Sequence, residues 1–281
     1  MSGSGGLKVQ KGQTRQLGQP CPRPRAIPSL LWIIASLCLA LNAAQAQNAW
    51  QVGERTTMET IADGAVFFEH RLVADGRKVR MQALKFSARQ FQLVVINQPQ
   101  PDGRLNQAMQ SDDFIAGMNG GYFTPEFRPL GLVVSGGELH HAMQNSRLLS
   151  GVFAATRDRM FLLRKGEFRL GPRTRDAIQA GPFLVDRGRP VSGLDSRRPA
   201  ARSFLAHDGR DTWLMGLILS PTLAEAAQIL VVEDLIEGMK IERALNLDGG
   251  RSSALWVRTE AGEHYYREIS FVRNFLGLRA R

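Results

Sequence analysis

The chain has 281 residues and a formal net charge of +10 at pH 7, from 36 basic and 26 acidic side chains. Both cysteines, Cys21 and Cys38, lie near the amino terminus. A mature chain without that segment has no thiolate nucleophile, cysteine-ligated zinc site or iron–sulfur cluster. No basic stripe with interleaved aromatic residues is present, so the charge does not by itself indicate a nucleic-acid partner.

Residues 1–46 have the layout of a secretory signal peptide. Five basic and no acidic residues precede an apolar segment, Ile27 to Leu41, and Ala44-Gln45-Ala46 supplies the small residues of a cleavage site. The apolar segment has 15 residues, fewer than the ~20 that a spanning helix needs. We therefore expect an exported protein, periplasmic or secreted, with no stable membrane span after cleavage and a mature charge of 31 − 26 = +5.

The remaining chain predicts one sheet-rich domain over residues 65–281, after an amino-terminal lead-in at 47–64. Val66-Phe67-Phe68 and Leu72-Val73 indicate an opening hairpin, and further apolar or alternating segments follow between turn residues. The expected later strands lie at 78–86, 91–96, 115–118, 130–134, 151–155, 160–163, 183–185, 202–206, 213–219 and 244–247.

One well-defined helix is predicted at about 222–237. Thr222 and Glu225 have the spacing of a capping box, and Gly238 is well placed to end the helix. The helix leads into the strand before an Asp-Gly-Gly turn, so the predicted fold class is α+β. Its apolar face is formed by Leu223, Ala227, Leu230, Val231 and Leu235.

Four segments combine an apolar run with small residues and a polar group. Together they offer a carboxylate, a guanidinium, amides and hydroxyls, a set that suits a sugar, a phosphate or both. Each segment alone is also typical of a turn or a solvated surface. The four segments are 118–123, 179–182, 202–204 and 246–253.

Three of these motifs resemble the phosphodiester glycosidase family in order and rough spacing: Asn119-Gly120-Gly121-Tyr122-Phe123, Gly181-Pro182-Phe183-Leu184-Val185 and Ala244-Leu245-Asn246-Leu247-Asp248-Gly249-Gly250. The resemblance covers roughly residues 65–280, and Arg202-Ser203 falls at the family's usual Arg-Thr or Arg-Ser pair. Arg251 departs from the pattern, because the family often has a third glycine there.

The resemblance implies an exported hydrolase that cleaves a sugar-1-phosphate diester or a related envelope carbohydrate. The leaving phosphate monoester is already acidic, so it needs neutralisation of charge more than a proton. Asp248 is expected to act at the anomeric carbon as nucleophile or base, Arg202 and glycine amides to bind phosphate, and Asn119 and Gln179 to position sugar groups. The other expected substrate-binding residues are Gly120, Gly121, Tyr122, Gly181, Asn246, Gly249, Gly250, Arg251 and Ser252.

Three alternatives stay open at this point. A non-catalytic carbohydrate- or phosphate-binding protein of the periplasm would keep the pocket without turnover. A serine hydrolase using Ser252 or Ser253 lacks a Gly-x-Ser-x-Gly elbow. Oxygen atoms of Asp248 and Asn246 suit Ca²⁺ or Mg²⁺, but no calcium-loop spacing is present, so no cofactor or metal is expected.

Overall fold

The computed structural model of the protein describes residues 50–111 and 113–281, and the signal-peptide prediction lies outside them. The structure is 49% strand and 6% helix. The prediction of a sheet-rich domain is therefore confirmed, whereas an α+β class with a leading helix gives too much weight to the helices. Within the described residues, no helix is long and apolar enough to cross a membrane.

An eight-stranded antiparallel sheet forms the largest layer. In spatial order its strands are β1 (Gln51–Ala62), β2 (Ala65–Ala74), β3 (Arg77–Ser87), β14 (Thr212–Leu219), β13 (Arg202–His207), β15 (Arg243–Asn246), β11 (Phe183–Asp186) and β12 (Arg189–Pro190).

Two antiparallel five-stranded sheets complete the fold. The first contains, in spatial order, β7 (Glu138–His141), β6 (Val133–Ser135), β10 (Asp176–Ala180), β8 (Gly151–Ala155) and β9 (Met160–Arg164). The second contains β17 (Gly262–Tyr266), β16 (Leu255–Thr259), β5 (Phe114–Asn119), β18 (Asn274–Ala280) and β4 (Phe91–Asn97).

The three sheets share one apolar core. Leu205, Phe153 and Leu276 come from different sheets, are fully buried and belong to the same cluster. Phe204 and Ala206, the neighbours of Leu205 on β13, belong instead to a cluster on the other face. This alternation follows from the period of two along a strand and explains why the central strands are apolar on both faces.

The opening of the domain differs from the sequence interpretation. The first hairpin pairs β1 with β2, so the segment treated as a lead-in forms a strand, and Val66 and Val73 lie on one strand rather than on two. Strand β1 is largely exposed, and it therefore lacks the apolar alternation by which strands are recognised.

Two α-helices occur in the described residues, α1 (Leu105–Ala108) and α2 (Leu223–Ile229). The predicted capping box of α2 is present, but the helix ends eight residues before the predicted end at 237. Beyond Ile229 the backbone forms successive turns. Leu230 and Leu235 still pack in the cluster beneath the helix, so an apolar spacing that fits a helix is satisfied here by turns.

The motif residues lie at one end of the strands. Asn119 ends β5 and pairs with Phe275 near the start of β18, while Phe204 near the start of β13 pairs with Asn246 at the end of β15. Antiparallel pairing therefore brings strand ends from distant parts of the chain to the same end of the sheets. This end, which contains Asn119, Asn246 and the starts of β13 and β18, is called here the motif end.

Candidate active site

The two glycines after β5 are packed against the start of β18. The N–H of Gly120 donates to the carbonyl of Asn274 at 2.9 Å, and the N–H of Gly121 donates to Asn274 Oδ1 at 2.7 Å. A Cβ atom on Gly120 would lie 2.1 Å from Asn274 Oδ1 and 2.9 Å from its carbonyl oxygen. Glycine is required at this position because the two backbones approach too closely for a side chain.

Asn119 connects three strands through a fully buried amide. Its Oδ1 accepts from Ser203 Oγ at 2.7 Å and from the N–H of Ala254 at 3.0 Å. Its Nδ2 donates to the carbonyl of Asp248 at 2.7 Å. The amide thus positions the backbone of Asp248 through protein contacts, and a direct contact between Asn119 and sugar stays a prediction.

The Asp248 carboxyl is largely enclosed at the end of β15. Burial raises its pKa from 3.8 to about 6, and hydrogen bonds from the Ser252 hydroxyl and the Gly249 N–H oppose this rise. The Gly249 bond to Asp248 Oδ1 is 2.9 Å long. Near neutral pH the group is therefore an incompletely solvated carboxylate, a state that suits a nucleophile or a base.

Tyr122 lies within the electrostatic reach of both predicted catalytic charges. Burial, followed by the charge of Asp248, raises the pKa of Tyr122, whereas the charge of Arg202 lowers it. The hydroxyl donates to the carbonyl of Gly181 at 2.6 Å and accepts from Asn246 Nδ2 at 2.9 Å. The hydroxyl proton is engaged in the bond to Gly181. Through its two bonds, Tyr122 connects the motifs after β5 and at the end of β15 to Gly181.

Arg202 lies beside the Asp-Gly-Gly turn. A Cβ atom on Gly249 would come within 3.9 Å of Arg202 Nη1. Two other guanidinium nitrogens donate to the carbonyls of Arg198 and Pro221, and burial lowers the pKa of Arg202. Within the described residues Nη1 has no hydrogen-bond partner, so this nitrogen is free to bind an anion.

Gln179 belongs to a neighbouring contact rather than to the Asp248 cluster. Its buried amide accepts from the N–H groups of Leu132 and Gln144 and donates to the carbonyls of Gln144 and Leu149. Four protein partners use the capacity of this amide. Its geometry therefore supports a role in anchoring the loop before β8, and the expected sugar contact stays untested.

Four of the glycines expected to bind phosphate donate their N–H groups to protein acceptors, and phosphate binding by glycine amides stays a prediction. In addition to the bonds of Gly120 and Gly121, the Gly249 N–H is bonded to Asp248 and the Gly250 N–H donates to the carbonyl of Ala201 at 2.8 Å. The sequence shows where glycines leave the backbone without side chains. It does not show which of their N–H groups will donate hydrogen bonds to residues brought close by the tertiary structure. Gly120, Gly121 and Gly249 allow close packing, whereas Gly250 has open space around it and a positive φ of 60°.

Arg251 lies on the exposed side of the turn. Its Nε lies 3.3 Å from Ser270 Oγ, and its carbonyl accepts from the N–H groups of Ile269 and Ser270 at 2.8 and 3.0 Å. The cation that departs from the glycine pattern is therefore held against the 269–270 segment at the margin of the site.

Sequence reasoning missed Asn274, and it noted Ser203 only as part of a motif. Both are completely buried, and both bond to the first glycine motif or to Asn119. The available signal for Asn274 was the polar pair Arg273-Asn274, which interrupts an otherwise apolar run before β18. Within residues 50–111 and 113–281, no group of three His, Cys, Asp or Glu side chains is arranged to hold a metal ion.

The chain is similar to known proteins in sequence and in fold. A family model described as phosphodiester glycosidase matches residues 112–278. The chain therefore belongs to the phosphodiester glycosidase family. A search of curated proteins finds no match.

Among solved structures, the zebrafish N-acetylglucosamine-1-phosphodiester alpha-N-acetylglucosaminidase catalytic domain, auto-inhibited by pro-peptide, is similar with a TM-score of 0.59 and 16% identity. The match covers 83% of this chain and 89% of that one. A hypothetical protein from Synechocystis gives a TM-score of 0.59 and 15% identity over 80% of this chain. The match covers 64% of the Synechocystis chain, less than two thirds of its length. These likenesses show a shared fold.

Proposed function

We propose that the protein hydrolyses a sugar-1-phosphate diester, releasing a free sugar and a phosphate monoester. The observation that carries the proposal is the position of two side chains beside Gly249. The largely enclosed Asp248 carboxylate accepts from the Gly249 N–H, and the available Nη1 of Arg202 lies 3.9 Å from where a Cβ atom on Gly249 would stand. A reacting sugar phosphate has an electrophilic carbon next to an anionic group, and this pair of side chains complements both.

Asp248 is assigned to the anomeric carbon. Its carboxylate attacks the carbon directly, or it removes a proton from a water molecule that attacks. In the first route a covalent sugar ester forms and water then cleaves it; in the second, water displaces the phosphate in one step. The bond between anomeric carbon and phosphate oxygen breaks in both routes, and its electron pair leaves with the phosphate.

Arg202 is assigned to the phosphate. A phosphate monoester is a good leaving group, so stabilisation of its growing charge replaces the proton that an ordinary glycoside needs. Arg202 offers a planar donor for phosphate oxygens, and its partial burial strengthens the attraction because less water screens it. Asn119 and Tyr122 support the pair by holding the backbone around Asp248 and Gly181.

The proposal is tested with sugar-1-phosphate diesters by measuring release of free sugar. We expect Asp248→Asn to abolish turnover with the fold intact. The control Asp158→Asn changes an exposed residue in the turn between β8 and β9, and it should retain turnover. Proton NMR of the sugar anomer that is released first distinguishes the two routes. A covalent intermediate gives retention of the anomeric configuration, and direct attack by water gives its inversion. Sustained turnover by folded Asp248→Asn would remove this residue from the mechanism.

A second candidate function is that of an exported carbohydrate- or phosphate-binding protein without turnover. The use of four glycine N–H groups inside the protein favours it, because fewer donors are left for a transition state. Calorimetric binding of a sugar-1-phosphate diester that is recovered uncleaved would support this candidate and exclude hydrolysis of that diester. The proposal that the protein is exported rests on the expected signal peptide.

A further inference from the structure

The end of the strands opposite the motif end is rich in arginine. Asn274 and Arg202 begin β18 and β13 at the motif end, whereas Arg279 and His207 lie five residues further along the same strands. At ~3.3 Å per residue this places the two ends about 17 Å apart. The far end, called here the basic end, is therefore separate from Asp248.

Three adjoining cavities of about 430, 600 and 850 Å³ open at the basic end. Nine arginines and three aspartates line them in total. Arg157 and Arg175 line the first two cavities, Arg159 lines the second and third, and Arg281 lines the first and third. The shared residues make the cavities parts of one continuous basic groove around the turn between β8 and β9.

The cations at the centre of this groove are available to a ligand. Arg157, Arg159 and Arg175 are exposed, and within residues 50–111 and 113–281 their side chains have no ion pair or hydrogen bond. Guanidinium groups that outnumber the carboxylates of a groove favour binding of an anion there.

The acids of the groove neutralise it only in part, because nine arginines line it with three aspartates. Asp176 is buried and its Oδ1 accepts from the N–H groups of Val95 and Gly136. Asp211 accepts from the Ser87 hydroxyl and the Arg89 N–H. Asp176 also interacts electrostatically with Arg175 and Arg279, Asp211 lies 3.8 Å from Arg89 Nε, and Asp158 is exposed at the turn. The balance of accessible charge at the basic end is positive.

We propose that the basic end binds a glycan chain that carries repeated phosphate groups, at a site separate from the candidate active site. Adjoining cavities fit a chain better than they fit a flat membrane surface, and none of the exposed large apolar residues lines them. The aromatic lining of the groove is limited to Phe161, a buried Trp213 and His207, whose ring lies 5.0 Å from that of Trp213. It therefore lacks the exposed stacking platforms that single-stranded nucleic acids use. Arginine matches phosphate oxygens by paired hydrogen bonds.

The test measures binding of phosphorylated dextran and of unmodified dextran of the same length, by fluorescence anisotropy on the purified protein. The test variant is Arg157→Gln/Arg159→Gln/Arg175→Gln. Its control, Lys78→Gln/Arg128→Gln/Arg267→Gln, removes the same charge from exposed positions outside the groove. Both variants keep the basic amino-terminal segment, so its contribution to binding cancels.

We expect phosphorylated dextran to bind and unmodified dextran not to bind. The groove variant should bind about tenfold or more weakly, with a slope of log affinity against log salt smaller by about 2, as the loss of three phosphate contacts implies. Equal weakening by the control variant would overturn the proposal, as would tighter binding of oligothymidine or anionic lipid vesicles. Release of sugar from a small soluble diester should be equal in all three proteins, so failure of this proposal is distinguishable from failure of the proposed hydrolysis.

Discussion

Replacing Asp248 with asparagine should stabilise the protein at neutral pH while removing activity. Burial raises the pKa of this carboxyl from 3.8 to about 6, so its ionised form is disfavoured in the folded state. A difference of about 2 pKa units corresponds to about 3 kcal/mol of lost stability once the group is ionised in both states. Asparagine keeps an oxygen acceptor for the Gly249 N–H and carries no charge to desolvate.

The direction of the Asp248 pKa shift determines the pH range in which the substitution changes stability. A raised carboxyl pKa means that the folded protein binds the proton more tightly than the unfolded chain, so wild-type stability falls as pH rises from about 4 to about 6. The stabilising effect of Asp248→Asn should be full above pH ~6 and should disappear near pH ~4.

Thermal unfolding followed by circular dichroism between pH 4 and 8 measures this difference. At pH 8 the variant should melt roughly 6–12 °C higher than the wild type, for about 3 kcal/mol in a domain of this size. Asp158→Asn controls for net charge and should change stability by less than about 0.5 kcal/mol, as is usual for an exposed site. A variant that is less stable at pH 8, or a difference that does not depend on pH, would refute the inferred burial of an uncompensated carboxylate.

Three further outcomes follow from the site. The acid limb of kcat/KM should have an apparent pKa of about 6, since Asp248 must be ionised; a rate that is flat from pH 5 to 8 would contradict this. Arg202→Lys should lower kcat/KM by roughly 10²-fold, because an ammonium lacks the planar donor pair, whereas an unchanged rate would remove Arg202 from phosphate binding. Gly120→Ala should cost more than about 2 kcal/mol in chemical denaturation, because its Cβ would meet backbone. The control Gly171→Ala has open space and should be nearly neutral.

The sequence indicated which side chains lie near one another better than it indicated their hydrogen-bond partners. Asp248, Arg202 and Tyr122 were selected from local motifs, and the structure brings the charges of the first two to act on the third. The assignment of glycine amides to phosphate did not anticipate Asn274, whose side chain bonds to a glycine 153 positions away. No local sequence pattern indicates a hydrogen-bond partner so distant in the chain.

The sequence by itself determined the features that depend on near neighbours: the capping box of Thr222 and Glu225, most strand segments, and the motif that presents Asp248 beside two glycines. Tertiary structure decided the features that depend on distant neighbours. It ended the helix at Ile229 and raised the pKa of Asp248. The physical reason is that caps and periodicity act over a few residues, whereas burial and the occupation of each N–H group depend on which strands the register brings together.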